Sequence, residues 1–281
     1  MAPKRIVVLG ARGVFGSLLV RELTDKYEVI PMGRDWSGAR FQRAFAVACT
    51  AGPFQHLDRA MVRAAVDAGA HWLDIADDER WFFDLIDDRE LDALARERGV
   101  AVIPGLSSLP AVSGALVRRV WSAATPVAAL HSGDSRRRTP DHVDIKLFIG
   151  NRNAKGPAAI ASAAASQGRV LKTPDRELLR RELGIDAEAV VEFESALATP
   201  MLRLLGRWPR FAAKIAKPFR FGTPGGAVEV RAGDRVARVS GSDQRLAILP
   251  LVFALERLEG LRGCLTPSVF DAEELLQFVS E

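Results

Sequence analysis

The sequence predicts an α/β fold, a parallel sheet with helices followed by a second domain of mixed strands. Three observations lead to it. Short β-branched runs alternate with helical patterns over roughly the first third of the chain, a glycine-rich turn joins the first run to the first helix, and after about residue 120 the strands lengthen and one pair reads as a hairpin. With 281 residues and 48% hydrophobic content, the chain can bury two cores.

Arg5 to Gly10 (RIVVLG) reads as a buried strand, Val14 to Asp25 as a helix and Tyr27 to Met32 as a second strand. Ala44 to Thr50 is a third strand. A helix follows with Leu57, Met61, Ala64, Ala65 and Ala68 on one face and Gly69 as its stop. His71 to Ala76 is the fourth strand, Asp88 to Arg98 a helix ending at Gly99, and Val100 to Pro104 the fifth strand. In the second half, Val127 to Ser132 and Val143 to Ile149 read as longer strands, and Val228 to Val239 as a hairpin around Ala232-Gly233-Asp234. Ala158 to Ala165, Leu246 to Leu258 and Ala272 to Val279 read as helices.

Several function classes are excluded. The longest apolar run, Leu246 to Leu255, is broken by Pro250, whereas a bilayer span needs about 20 residues. The apolar stretch near the start, Ile6 to Leu9, is too short for a signal peptide, so a cytoplasmic location is expected. Cys49 and Cys264 have no ligand spacing; buried reduced thiols and no metal site are expected. Arg203, Arg207, Arg210, Lys214, Lys217 and Arg220 fall in a segment without acids. Taking those six charges from the net +4 leaves −2 on the rest of the chain, which argues against a nucleic-acid partner.

Gly10-Ala11-Arg12-Gly13-Val14-Phe15-Gly16 lies between strand and helix. A dinucleotide site wants glycines there, because backbone N–H groups must close on a pyrophosphate at a helix N-terminus. The plainer alternative is that the glycines only let helix and sheet pack closely. The second strand ends in Gly33-Arg34-Asp35 rather than in the lone acid that binds a ribose 2′-hydroxyl. Arg34, with Arg12 as a second cation, favours NADP over NAD, while Asp35 leaves a displaced ribose acid open.

With this turn in place, Thr50-Ala51-Gly52-Pro53-Phe54, His71 to Asp78, Val102 to Gly105 with Ser107, Ser108 and Pro110, Gly150 to Gly156, and the closing turn Gly263 to Pro267 resemble the saccharopine dehydrogenase-like NADP-binding oxidoreductases in order and spacing. The resemblance covers most of the chain and is most specific in the first half; residues 169–225 lie outside it. It implies a Rossmann-type domain over 1–120, a mixed α/β substrate domain over 121–245 and C-terminal helices over 246–281 returning to the first domain. Substrate would bind in the cleft between, and Gly52-Pro53 would let the backbone pass close to the nicotinamide. Two departures stand out. Only nine residues separate Arg34 from Ala44, so the sheet is expected to lack one edge strand, and Leu106 to Pro110 lacks the cysteine and Asp-Pro-Gly elements of saccharopine-forming enzymes.

Asp74, Asp77, Asp78 and Glu79 cluster after a strand, where a helix cap competes with a cofactor contact by Asp77. Ser107 and Ser108 read as loop hydroxyls able to orient a carbonyl. Arg136 to Arg138, Arg152 and Lys155 are candidates for an anionic substrate group, and His56, His71, His131 and His142 have no ligand spacing. No catalytic residue is assigned. Met201 to Phe219 sets Trp208, Phe211, Ile215 and Phe219 opposite a basic face, which suits a peripheral membrane helix on anionic lipid or a helix packed on the second domain. The expected function is an NADP(H)-dependent oxidoreductase of a small or apolar carbonyl, imine or enoyl substrate. The alternatives are a non-catalytic NADP-binding regulator or a membrane-surface accessory protein, and a homodimer is left open.

Overall fold

A computed structural model describes residues 3–33, 36, 38–124, 142–150, 171–193, 223–242 and 244–280. The chain divides into two units, Met1–Ser107 with Ala247–Phe270, and Ser108–Leu246 with Asp271–Glu281.

In the first unit, β1 (Arg5–Leu9), β2 (Glu28–Met32), β3 (Ala46–Cys49), β4 (His71–Asp74), β5 (Ala101–Ile103) and β10 (Gly263–Cys264) form one sheet in the order β10-β5-β4-β3-β1-β2. Every pairing is parallel. The inner strands are buried throughout, which is why they read as continuous apolar runs rather than alternating ones. Helices α1 (Val14–Leu23), α2 (Ala60–Asp67), α3 (Glu79–Ile86) and α4 (Arg89–Arg98) connect them, and α7 (Leu249–Leu255) belongs to the same unit. Asp88 caps α4 through the Leu91 N–H, and Gly99 closes it in the left-handed conformation.

Among the described residues, the edge strand expected to be missing is absent. β2 pairs with β1 alone among the described residues, and the chain from Trp36 to Arg43 crosses back to feed β3. A single 3-10 turn, Gly38–Phe41, stands where a helix and strand were dispensed with; it packs against α2 and is anchored by the fully buried Phe41. The opposite edge corrects the sequence reading. Gly263 to Pro267, expected as a turn, begins with strand β10, because the N–H groups of Gly263 and Leu265 donate to the Val100 and Val102 carbonyls, each at 2.9 Å.

The second unit holds a mixed sheet, β7-β6-β8-β9, of β6 (His142–Ile149), β7 (Asp186–Phe193), β8 (Gly226–Ala232) and β9 (Arg235–Gly241). β6 and β7 run parallel; β8 pairs antiparallel with both β6 and β9, and the β8–β9 hairpin turns at Gly233-Asp234 as expected. Helices α5 (Ser113–Ala124), α6 (Asp175–Leu183) and α8 (Ala272–Ser280) complete this unit. The expected boundaries put α5 in the first domain and returned α8 to it. Both instead lie in the second unit, since α5 packs on β8 and β9, α8 packs on α5 and β9, and Leu116, Val120, Leu275, Leu276 and Val279 are buried. The expected elements at Val127 to Ser132, Ala158 to Ala165 and Met201 to Phe219 lie outside the described residues.

No helix among the described residues is long and apolar enough to cross a membrane, and no group of metal-ligating side chains occurs among them. Both cysteines are free, Cys49 buried and Cys264 half-buried, and burial pushes both thiols up.

His71, at the start of β4, is a packing residue. Its Nδ1 accepts the Ala101 N–H at 2.9 Å, its ring meets Phe45, and Lys4 lies over the other ring of that pair. Burial, with Lys4 nearby, lowers its pKa to about 4. The unfolded chain takes up this proton near pH 6.5 and the folded chain only near pH 4, so acid favours unfolding across that window. Urea titrations should show stability falling by about 3 kcal/mol between pH 6.5 and 4 from this group. His71→Gln should remove that part of the slope while leaving the contributions of other groups.

Candidate functional site

The carboxyl ends of β1, β3, β4 and β5 carry the residues singled out in the sequence. Gly10, at φ +78°, and Ala11 both donate to the Met32 carbonyl, at 3.0 and 3.1 Å, so the glycine turn is seated on the end of β2. Gly13 precedes the ten-residue α1 as its N-cap without side-chain capping, and no acid lies in the first turn. Helix geometry leaves the N–H groups of Val14, Phe15 and Gly16 without intrahelical acceptors, at the positive end of the helix dipole. Arg12 and Gly13 are exposed, and Val14 and Phe15 are half-buried.

The glycines divide into two kinds. A Cβ on Gly10 would lie 2.8 Å from the Ala51 backbone, and one on Gly16 would collide with the Gly10 carbonyl. Close packing requires both, and the positive φ of Gly10 excludes a side chain there as well, as the plainer reading of the motif allows. Gly52 is different. A Cβ there would meet nothing within 4 Å, and its φ is not positive. Neither neighbours nor backbone conformation explains a glycine at this point, whereas a ligand passing against the backbone would.

Thr50 to Phe54 lies beside the glycine turn. The Thr50 N–H and hydroxyl both donate to the Leu9 carbonyl, at 2.9 and 2.8 Å, joining the ends of β3 and β1. Ala51 and Phe54 are buried, Gly52 and Pro53 half-buried, and the Gly52-Pro53 peptide is cis. Phe54 meets Trp81 of α3 at 5.7 Å between ring centroids. Gln55 donates to Asp78, whose other oxygen caps α3 by accepting the Trp81 N–H at 2.8 Å. The cap thus falls to Asp78, and Asp77 is exposed beside it.

Asp74 is the residue whose importance the sequence understated. It is fully buried and its carboxylate accepts four hydrogen bonds: from the Trp72 and Trp81 indoles at 2.9 Å each, and from the Ala76 and Gly105 N–H groups at 3.0 Å each. Its own carbonyl accepts the Leu106 N–H at 2.7 Å. Burial raises the carboxyl above the usual range, and the four donors counter that only in part. The two tryptophans nearby were the available signal, since a buried indole needs an acceptor.

The turn Gly10 to Gly16 and Thr50 to Phe54 are therefore brought together, while Arg34 and Asp35 lie outside the described residues. Arg136 to Arg138, His131, Arg152 and Lys155 lie outside them as well. Ser107 and Ser108 are buried; His56 is exposed, and His142 stands near Asp144 and Asp186, at 3.3 and 3.6 Å.

No protein-family model matches this sequence. No curated protein matches it either. Among solved structures, its fold is similar to an amine dehydrogenase from Mycobacterium smegmatis, with TM-score 0.55, 12% identity and 95% of each chain covered. C. glutamicum DAP dehydrogenase in complex with DAP matches at TM-score 0.51 and 13% identity over 98% of this chain and 96% of that one. An engineered D-amino acid dehydrogenase bound to NADP+ matches at TM-score 0.50 and 14% identity, again over 98% and 96%. At such identities the likeness is one of fold, a Rossmann-type sheet with a second mixed α/β unit.

Two substitutions separate packing from ligand contact. Gly16→Ala should destabilise the protein by about 2 kcal/mol or more, since backbone must move. Gly52→Ala should leave the urea midpoint nearly unchanged yet weaken nucleotide binding; unaltered binding would make Gly52 an ordinary loop residue. For the buried carboxylate, Asp74→Asn sets an amide NH2 among four donors and should cost about 3 kcal/mol in chemical denaturation.

Proposed function

We propose that this chain is an NADP(H)-dependent oxidoreductase that acts on a small or apolar carbonyl, imine or enoyl group, of the saccharopine dehydrogenase-like kind. The observation that carries the reading is the N-terminus of α1, uncapped by any side chain, reached through a glycine turn seated on β2 and bordered by Gly52, whose Cβ position is open. In this reading the N–H groups of Val14, Phe15 and Gly16 bind the pyrophosphate, Gly10 and Gly13 shape the approach, and Arg12 and Arg34 bind the 2′-phosphate. Thr50 to Phe54 supports the nicotinamide ring, with Asp77 as a contact at its edge.

The bound cofactor supplies or accepts the hydride. The chain's part is to hold the ring against a rigid strand end and to limit water around it. Buried Phe54 and Trp81 form an apolar backing suited to that task. The similar folds bear on cofactor and substrate. One neighbour holds NADP+, and others are named for amines and DAP, so oxidation and reduction at a carbon–nitrogen bond lies within the class proposed. The second unit is the substrate domain in this reading.

Fluorescence titration with NADPH and NADH side by side tests the reading. NADPH should bind more tightly, and Arg34→Glu should weaken NADPH by about tenfold while affecting NADH far less, because only NADPH carries the additional phosphate. Failure of the unmodified protein to bind either nucleotide at millimolar concentration would sink the proposal.

A further inference from the structure

The shortened crossover leaves no strand beyond β2 among the described residues. In a Rossmann-type sheet the adenosine half of a dinucleotide extends toward this edge from the glycine turn. Among the described residues, the crossover is the element that follows β2 at this edge.

Trp36 lies in that crossover. Met32, whose carbonyl anchors the Gly10 and Ala11 N–H groups, precedes it by four residues, so Trp36 lies within about 14 Å of that anchor along the chain. Its ring lies parallel to Phe41, with 3° between the planes and 6.0 Å between centroids. Phe41 is fully buried and already closes the core under the crossover, whereas Trp36 is only half-buried. A large indole is therefore held flat by a buried neighbour while part of its surface remains open to solvent. A planar apolar surface supported from beneath is what a purine ring stacks upon, and base stacking on an aromatic side chain needs no surrounding pocket.

We infer that Trp36 is the adenine platform of this chain, taking the place of the missing edge of the sheet. The inference rests on the NADP(H) reading and deepens it by naming the residue that holds the base. Phe41 acts through Trp36 as a positioning residue.

The test uses the full chain with NADPH and with 2′,5′-ADP, the adenosine half alone, and follows both affinity and tryptophan emission. In the unmodified protein 2′,5′-ADP should quench part of that emission. Trp36→Ala should weaken both nucleotides about tenfold or more. Trp36→Phe keeps a stacking ring and should bind within about threefold of the original, but should lose the quenching; a purely structural role for Trp36 would not produce that pairing. Quenching that survives in Trp36→Phe, or undiminished binding by a folded Trp36→Ala protein, overturns the platform while leaving the oxidoreductase reading intact. Absence of NADPH binding in the unmodified protein defeats the reading on which the platform rests.

Discussion

One buried carboxylate holds the strand ends in place. Asp74 gathers two indole N–H groups and two backbone N–H groups around a charge with no access to water, using every acceptor direction it has. Through Gly105 it fixes the loop after β5, and through Trp81 it fixes the start of α3. Trp81 in turn supports Phe54, so the loop after β3 is positioned by the same group at one remove. An unpaired buried carboxylate would be very costly. Four donors make the ion tolerable only in one arrangement of the three loops, and that uniqueness is its contribution.

The two edges of the first sheet are finished in different ways. Beyond β2 no strand stands among the described residues, and the crossover there carries the stacked Trp36 and Phe41 pair. At the other edge, β10 adds a short parallel strand whose outward Cys264 N–H is not left open. Asp92 of α4 accepts it at 2.8 Å and is itself held by Arg96 at 2.8 Å. An exposed row of strand donors invites pairing with other chains, and a helix side chain placed over the last donor removes the invitation at little conformational cost.

Much of the first unit was legible because its strands are buried on both faces and its helices carry explicit punctuation. Asp88 and Gly99 bracket α4 in the sequence as they do in the fold. The nine residues after Arg34 announced the missing strand. Three helices were not read. α3 (ERWFFDLI) begins at a cap that was recognised, but its aromatic crowd masks the helical period. α5 follows a kinked π-turn at Ser108–Val112, and α6 is so rich in Glu and Arg that Leu178 and Leu179 alone mark its buried face. β7 alternates Ala187 and Ala189 with acids, a weak signal since alanine carries little β preference. At the site, the glycines were legible as a motif but not as two kinds. The space around each Cβ, together with the positive φ of Gly10, distinguishes Gly10 and Gly16 from Gly52.

The discontinuity of the first unit bears on how the chain is made. A ribosome releases β1 to β5 long before Gly263 and Cys264, the strand that pairs with β5, have been translated. Until then one side of β5 has no partner of its own, and α4 has no strand for Asp92 to cover. The nascent sheet must therefore wait, with an open hydrogen-bonding edge, while the Ser108–Leu246 part of the second unit emerges. Closing that edge is a late and long-range event, so the interval before it is when the chain is most exposed to pairing with a neighbour.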